Sequence, residues 1–390
     1  MNKKLGLAVA GALVAFSSAA NAGITIPAGD WTVDVGGNVN AYYTHTTGTA
    51  ATTNTVNTGL LPAALGIGAK TRQNDLDVAF QFTFFTGIDS TNNAVSGAGA
   101  HGYGSNAALG MNSLNIRQAF MTIGDASWGQ IKLGRDLGVF ESDAILSDMT
   151  LLGVGSGAAG TGNTTLGRIG YGYLYADWKS QIQYSTPNWN GFQITAAIDS
   201  PWTGTSTNGN DVVNAGKDMG FEAKATYDFA ANDVTGRAWV GGITQKLQGT
   251  ATSYTNVNTT ANGWDVGGKV AYQGAELVAS YYSGEGIGIT GFLLNATQGT
   301  TGTKTKSDGY YVQGTYKLPG VGTKVGLSYG ESNLDSTGST YQQNSWIVGA
   351  YHPLTKSVNL VAEYNYAQVE QTSHATTNAK TVSLGAIMFF

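Results

Sequence analysis

The side chains able to do covalent or metal chemistry are few and scattered. The chain has four histidines, His45, His101, His352 and His374, and no cysteine. A serine- or aspartate-based hydrolytic centre needs an imidazole held beside it, and none of the four lies in a recognisable catalytic motif. Their separation argues equally against a histidine metal cluster. The lack of cysteine excludes disulfides, thiol chemistry and thiolate zinc sites. Glycine is abundant, 56 of 390 residues, yet no glycine run opens a helix as a phosphate-cradling loop would. Carboxylates in the connecting segments could ligate Ca²⁺, but none has the spacing of a calcium loop. Solvated loop positions account best for the histidines. What remains is the chemistry of fixed charge, which attracts, repels and orients solutes without a covalent step and without a cofactor.

The elements that must position those charges follow from composition and pattern. Lys3 and Lys4 precede an uncharged apolar stretch, residues 5–16, and Ala20 and Ala22 form an A-x-A site. This predicts a signal peptide over residues 1–22, removed on export, and one domain over 23–390. Beyond the leader no apolar run approaches the roughly 20 residues of a spanning helix. Charged residues make up 12%, about half the usual share of roughly 25%. The 8 Trp, 20 Tyr and 13 Phe argue against a low-complexity chain. A formal net charge of −5 argues against nucleic acid as a partner. If a membrane is crossed, strands must cross it.

Alternation is the dominant pattern. Trp31, Val33, Val35, Val39, Ala41 and Tyr43 alternate with polar or small residues, as do Leu76, Val78, Phe80, Phe82 and Phe84. Trp178, Ile182 and Tyr184 alternate with Lys179, Gln181 and Gln183; Phe192, Ile194, Ala196 and Ile198 with Gln193, Thr195 and Asp199. Phe221, Ala223, Ala225 and Tyr227 oppose Glu222, Lys224, Thr226 and Asp228. The pattern predicts sixteen strands, at 31–45, 60–70, 76–87, 112–123, 128–137, 177–186, 191–199, 218–229, 232–246, 262–272, 275–285, 308–317, 322–331, 342–352, 357–368 and 379–390. Short connections tend to alternate with long ones rich in Gly, Thr, Ser and Asn, the rim asymmetry of an up-and-down transmembrane barrel.

Hydrocarbon explains why such a sheet must close. Every backbone N–H and C=O needs a partner there, and only a closed sheet lacks an unpaired edge. Apolar side chains then face lipid and polar ones face water, and sixteen strands enclose an interior too wide for side chains alone to fill. Trp31, Trp178, Trp189, Trp202, Trp264 and Trp346 fall at or near strand ends and are candidates for the aromatic girdles at the two interfaces.

The last segment places Val382, Leu384, Ala386, Met388 and the terminal Phe390 on one face, and a final strand ending in Phe looks like the recognition signal of outer-membrane barrels. Arg117, Ala119 and Phe120, then Gly129, Ile131, Leu133, Gly134 and Arg135, resemble the R-x-A-F/W strand, turn and G-x-(V/I)-x-(L/Y)-G-R strand of the trimeric general porins of Gram-negative bacteria. Tyr184, Ser185, Pro187, Gly191 and Phe192 resemble that family's next hairpin, and Leu65 to Lys70 with Phe80 and Phe82 its second.

The resemblance implies a sixteen-stranded antiparallel transmembrane β-barrel with short periplasmic turns and long extracellular loops. It implies a homotrimer set among outer-membrane lipid and lipopolysaccharide. The third loop, about residues 138–175 here, would fold inward and narrow the pore. Its Glu141, Asp143 and Asp148 would face arginines on the wall; Arg117 and Arg135 match the motif, and Arg168, towards the end of the loop, comes next. The family's usual P-E-F-G-G signature is absent, residues 145–157 standing in its place, which leaves open which carboxylate reaches the constriction. Parity independently turns Arg117 inward if Leu114, Ile116 and Phe120 face lipid, since an arginine in lipid costs about 2–4 kcal/mol at mid-membrane. Arg135 shares the phase of Ile131 and Leu133, so it turns inward only through a bulge.

The implied function is passive diffusion of ions and small hydrophilic solutes through a water-filled channel in the outer membrane, and the chain is not expected to be an enzyme. A solute-specific channel and a non-conducting adhesin or plugged structural barrel are the alternatives. Net charge leans towards cations, whereas inward Lys179, Lys224 and Lys269 lean the other way.

Overall fold

A computed structural model describes residues 23–49, 52–88, 114–156, 164–205, 212–214, 218–248, 258–298 and 302–390. The proposed leader and His101 lie outside the described residues. Sixteen antiparallel strands close into one barrel. Numbered as barrel strands they are β1 Trp31–Gly48, β2 Ala63–Gln73, β3 Leu76–Thr86, β4 Asn115–Asp125, β5 Gly129–Leu137, β6 Trp178–Ser185, β7 Phe192–Asp199 and β8 Gly220–Ala231. The second half comprises β9 Val234–Gln248, β10 Asn258–Tyr272, β11 Ala275–Glu285, β12 Lys306–Lys317, β13 Lys324–Ser336, β14 Ser339–Pro353, β15 Val358–Gln371 and β16 Thr377–Phe389. Each strand pairs with its sequence neighbour, and β16 returns to β1, with Asn38 opposite Phe389 and Gly48 opposite Ala379. At the seam Gly37 and Phe390 exchange backbone hydrogen bonds at 2.9 and 3.1 Å. Below it a short N-terminal arm, Ile24–Ala28, hairpins onto the start of β1.

The predicted alternation is real in space. Val39, Leu65, Phe82, Ile182, Leu277 and Leu384 project outward and are exposed, while Asn40, Gln81, Gln181, Glu222 and Ser383 are buried inside. This division is what a wall between hydrocarbon and a polar interior requires. Asn74 and Asp75 both adopt positive φ, as do Gln273 and Gly274, the backbone of two-residue hairpins whose twist matches the strands.

Three expectations are corrected. The seventh upper connection, predicted as a gap between strands ending at 331 and starting at 342, is a tight turn: β13 runs to Ser336 and β14 starts at Ser339. Both strands continue as polar ribbons above the membrane, where alternation carries no apolar signal. The second correction is Phe120. The pairing between β3 and β4 slips at Thr83/Phe84, with Thr83 opposite Gln118 and Phe84 opposite Ile116. Arg117 is the extra residue of a bulge, and a bulge reverses the phase that follows. Met121 is therefore exposed outward and Phe120 turns inward, under the Lys132 ammonium at 5.0 Å. The third concerns the tryptophans. Trp189, Trp264 and Trp346 are exposed on the outer face. Trp178, in contrast, packs on Phe85 and donates its Nε1–H to Tyr175 at 2.6 Å, and Trp202 packs against an interior apolar cluster.

Candidate functional site

Residues 138–156 leave β5 and enter the barrel interior, and residues 164–177 lead back to β6. Their first turn is a short helix, α1, Ser142–Leu146, followed by a 3-10 turn, Met149–Leu152. Wall glutamates grip the loop by its backbone. Glu222 on β8 accepts the N–H groups of Val139 and Phe140, and its other oxygen pairs with Lys179. Glu363 on β15 accepts Val154 and Gly155, both at 2.8 Å, and the Tyr351 hydroxyl at 2.7 Å. In between, the Met149 N–H donates to Gln313 at 2.8 Å, and Tyr311 donates to the Ala144 carbonyl at 2.8 Å. Tyr42 on β1 donates to the Leu152 carbonyl at 2.6 Å. Backbone groups taken into the interior must find partners, and here the wall supplies them.

Glycines in β13 make room for this packing. A Cβ at Gly326 would lie 2.5 Å from Met149 Sδ, and one at Gly330 2.2 Å from the Tyr171 carbonyl oxygen. A strand glycine at such a point marks a close approach of another segment.

The six predicted site residues separate into distinct places. Asp143 is held by two wall cations, Lys224 Nζ at 2.6 Å and Arg237 Nη1 at 2.9 Å, and Arg237 also reaches Asp228 at 2.7 Å. Burial alone would raise the Asp143 carboxyl, but the two cations outweigh it and hold it below the ordinary carboxylate range. Glu141, at a left-handed backbone position before α1, is buried against the wall. Burial pushes its carboxyl well above the usual range, and the nearby Asp265 charge adds to the effect. Asp148 caps the 3-10 turn through the Thr150 N–H at 2.9 Å and accepts the Tyr173 hydroxyl at 2.8 Å.

The arginines differ as sharply. Arg117 is buried at its bulge with its guanidinium 4.9 Å from the Phe85 ring centre. Arg135 stays in register opposite Ala119 and Ser180, in the outward phase of Ile131 and Leu133, so it does not turn inward. Arg168 is completely buried: Nε donates to Ser328 Oγ at 2.5 Å, Nη2 to the Ser328 carbonyl at 2.5 Å and Nη1 to the Tyr171 carbonyl at 3.1 Å. It fastens the returning limb of the loop to β13 and cannot line a passage. Parity had placed Glu222 and Lys224 on an inner face. Arg237 and Glu363 were missed, although each occupies the inward phase of its strand.

Among the described residues no group of three or more His, Asp or Glu side chains could hold a metal ion. His45 bonds Asn54, His352 bonds Thr323 and His374 bonds a backbone carbonyl, each at a different rim position.

A closed sixteen-stranded barrel, oily outside and crossed within by an anchored loop, defines an outer-membrane channel protein. The sequence profile of the Gram-negative porin family matches residues 8–372, and the chain belongs to that family. It is a porin, a channel for small solutes, and family and fold point to the outer membrane. Its fold is similar to the anion-selective porin from Comamonas acidovorans, at 17% identity and TM-score 0.64, over 92% of this chain and 100% of that one. It is also similar to the outer membrane channel DcaP of Acinetobacter baumannii, at 16% and 0.66, over 95% and 100%. Salmonella typhi OmpF in complex with daunomycin matches at 17% and 0.60, over 94% and 100%. A search of curated protein sequences finds no match.

Proposed function

We propose that the protein is a passive, non-enzymatic diffusion channel for ions and small hydrophilic solutes, assembled as a homotrimer after its signal peptide is cleaved. The observation that carries the reading is the division of the strands into an apolar outer and a polar inner face around a closed barrel. The constriction lies where the third loop meets β8 and β9, with Asp143, Lys224 and Arg237 as its charged core and Arg117 contributing from β4. Glu141, Asp148 and Arg168 hold the loop in place, and Arg135 lies outside the passage.

Transit needs no bond to form or break, only a path on which fixed charges replace part of the hydration of the solute. Two cations share Asp143, and Arg237 and Lys224 both keep part of their surface accessible. Asp228, also held by Arg237, balances the second cation, so the core presents paired opposite charges to the passage rather than a net positive one. One structural neighbour has a reported trimer form, which agrees with the proposed assembly.

Planar-bilayer recording under a salt gradient tests it. Ohmic steps, commonly in threes, are expected. Silence would favour a plugged structural barrel or adhesin, and current block by one solute a solute-specific channel. Asp143→Asn should move the reversal potential towards anions, and an unchanged potential would remove Asp143 from the passage.

A further inference from the structure

Residues 286–298 of the sixth loop, between β11 and β12, also lie inside the barrel. Ile287, Ile289, Phe292 and Leu293 are each at most 2% exposed. Ile287, Phe292 and Leu293 pack with Phe140 and Leu174 of the third loop and with Ile243, Leu247, Ala261 and Tyr282. Those four wall residues occupy the inward phase of β9, β10 and β11, the phase that faces water in an open channel. Burying a large aliphatic or aromatic side chain is worth about 1.5–3 kcal/mol, so the cluster holds the loop against the wall.

Three further observations show a built position. The Tyr175 N–H of the third loop donates to the Thr290 carbonyl at 2.9 Å, joining the two loops. Lys179, already paired with Glu222, lies 4.5 Å from the Phe292 ring centre. The sixth loop is braced internally, Leu293 N–H to the Ile287 carbonyl at 2.7 Å and Ile289 N–H to the Leu294 carbonyl at 2.9 Å. Leu293 holds φ at 65°, a conformation unfavourable for a bulky side chain that persists only where the surroundings enforce it. Gly284 and Gly263 receive Ile287, since a Cβ on either would lie 2.6 or 3.0 Å from its Cδ1. This repeats the device by which Gly326 and Gly330 seat the third loop.

We propose that the sixth loop is a second constriction element, and that the size limit of the pore is set jointly by loops three and six, with the buried Phe292 and Leu293 holding the sixth loop in its seat. The size limit rests on the diffusion-channel reading; the inward seat of the loop does not.

The chain has no cysteine, so single-cysteine variants report cleanly. Ile289→Cys should resist a bulky maleimide-polyethylene glycol reagent in the reconstituted barrel, whereas Ala375→Cys on the exposed rim should react fully. Equal reaction at both would overturn the inward seat. The pair Phe292→Ala and Leu293→Ala should raise single-channel conductance about two-fold, since current follows the open cross-section, and admit larger sugars in liposome swelling. Unchanged conductance and sugar cut-off in a variant that keeps the heat-resistant folded form would overturn the size-limiting role. A silent wild type with Ile289→Cys still protected would instead defeat the diffusion-channel reading and leave the loop placement standing.

Discussion

Two sectors of the barrel wall have the same outer face and opposite inner ones. Across β3, β4 and β5 the inward residues form a polar ladder. Gln81 donates to Thr83 at 2.9 Å, Thr83 to Gln118 at 2.6 Å and Gln118 to Asp136 at 2.9 Å, and Lys132 pairs with Asp136. From β9 round to β16 the inward positions hold Trp239, Ile243, Leu247, Val278, Tyr311, Ile347, Tyr351, Val361, Ile387 and Phe389, all buried under the folded loops. Lipid fixes the outer phase everywhere. The inner phase depends on what lies against it, so apolar residues in that phase mark where loops rest.

Breaking the loop-covered sector should have the largest effects. Arg168→Met removes donors from the Ser328 and Ser345 carbonyls and the Tyr171 carbonyl. Each hydrogen bond lost from the charged guanidinium costs about 1.5–3 kcal/mol, so the barrel should convert to the unfolded form at markedly lower temperature on a gel-shift assay. Gly330→Ala comes next. Its Cβ meets backbone rather than a flexible side chain, and overpacking of this kind costs about 1–3 kcal/mol. The loop should shift, read as noisier single-channel current with a smaller loss of thermal stability.

A third prediction contrasts two carboxylates of one loop by pH. Asp143 has a folded pKa below its unfolded value. Its contribution is therefore complete above the unfolded value of about 3.9 and is lost only as pH falls towards the lower folded value. Glu141 has the opposite sign, raised by burial and then by Asp265. The folded state holds that proton more tightly, so stability falls as pH rises above about 4.3 towards the folded value. Glu141→Gln should flatten this decline in thermal melts against pH, and an unchanged slope would contradict the assignment. The smallest effect is expected at the periplasmic mouth, on β1 and β2. Lys70 pairs with Asp34 at 3.3 Å with half its side chain exposed, and Lys70→Ala should change stability by no more than about 1 kcal/mol.

Strand count, order and most boundaries were legible because hydrocarbon imposes one rule on every strand. Phe120 escaped it because a bulge at Arg117 shifts phase without changing composition. Arg168 was legible as an arginine towards the end of the third loop but not as an anchor, since its strand partners lie more than 150 residues away on β13 and β14. The inward apolar residues Ile243 and Leu247 carried a readable signal, two-faced hydrophobicity in a strand otherwise half polar. Only the placement of the sixth loop explains it.

The exchange between Gly37 and Phe390 has a temporal consequence. The free edge of β1 is occupied by β16, so the ring stays open until β16 has been made. A chain whose decisive contact joins its two extremes forms that contact slowly, and its unsealed rims invite aggregation meanwhile. Until β16 arrives, the topology leaves β1 and β15 each with an unpaired edge that must be shielded from other chains.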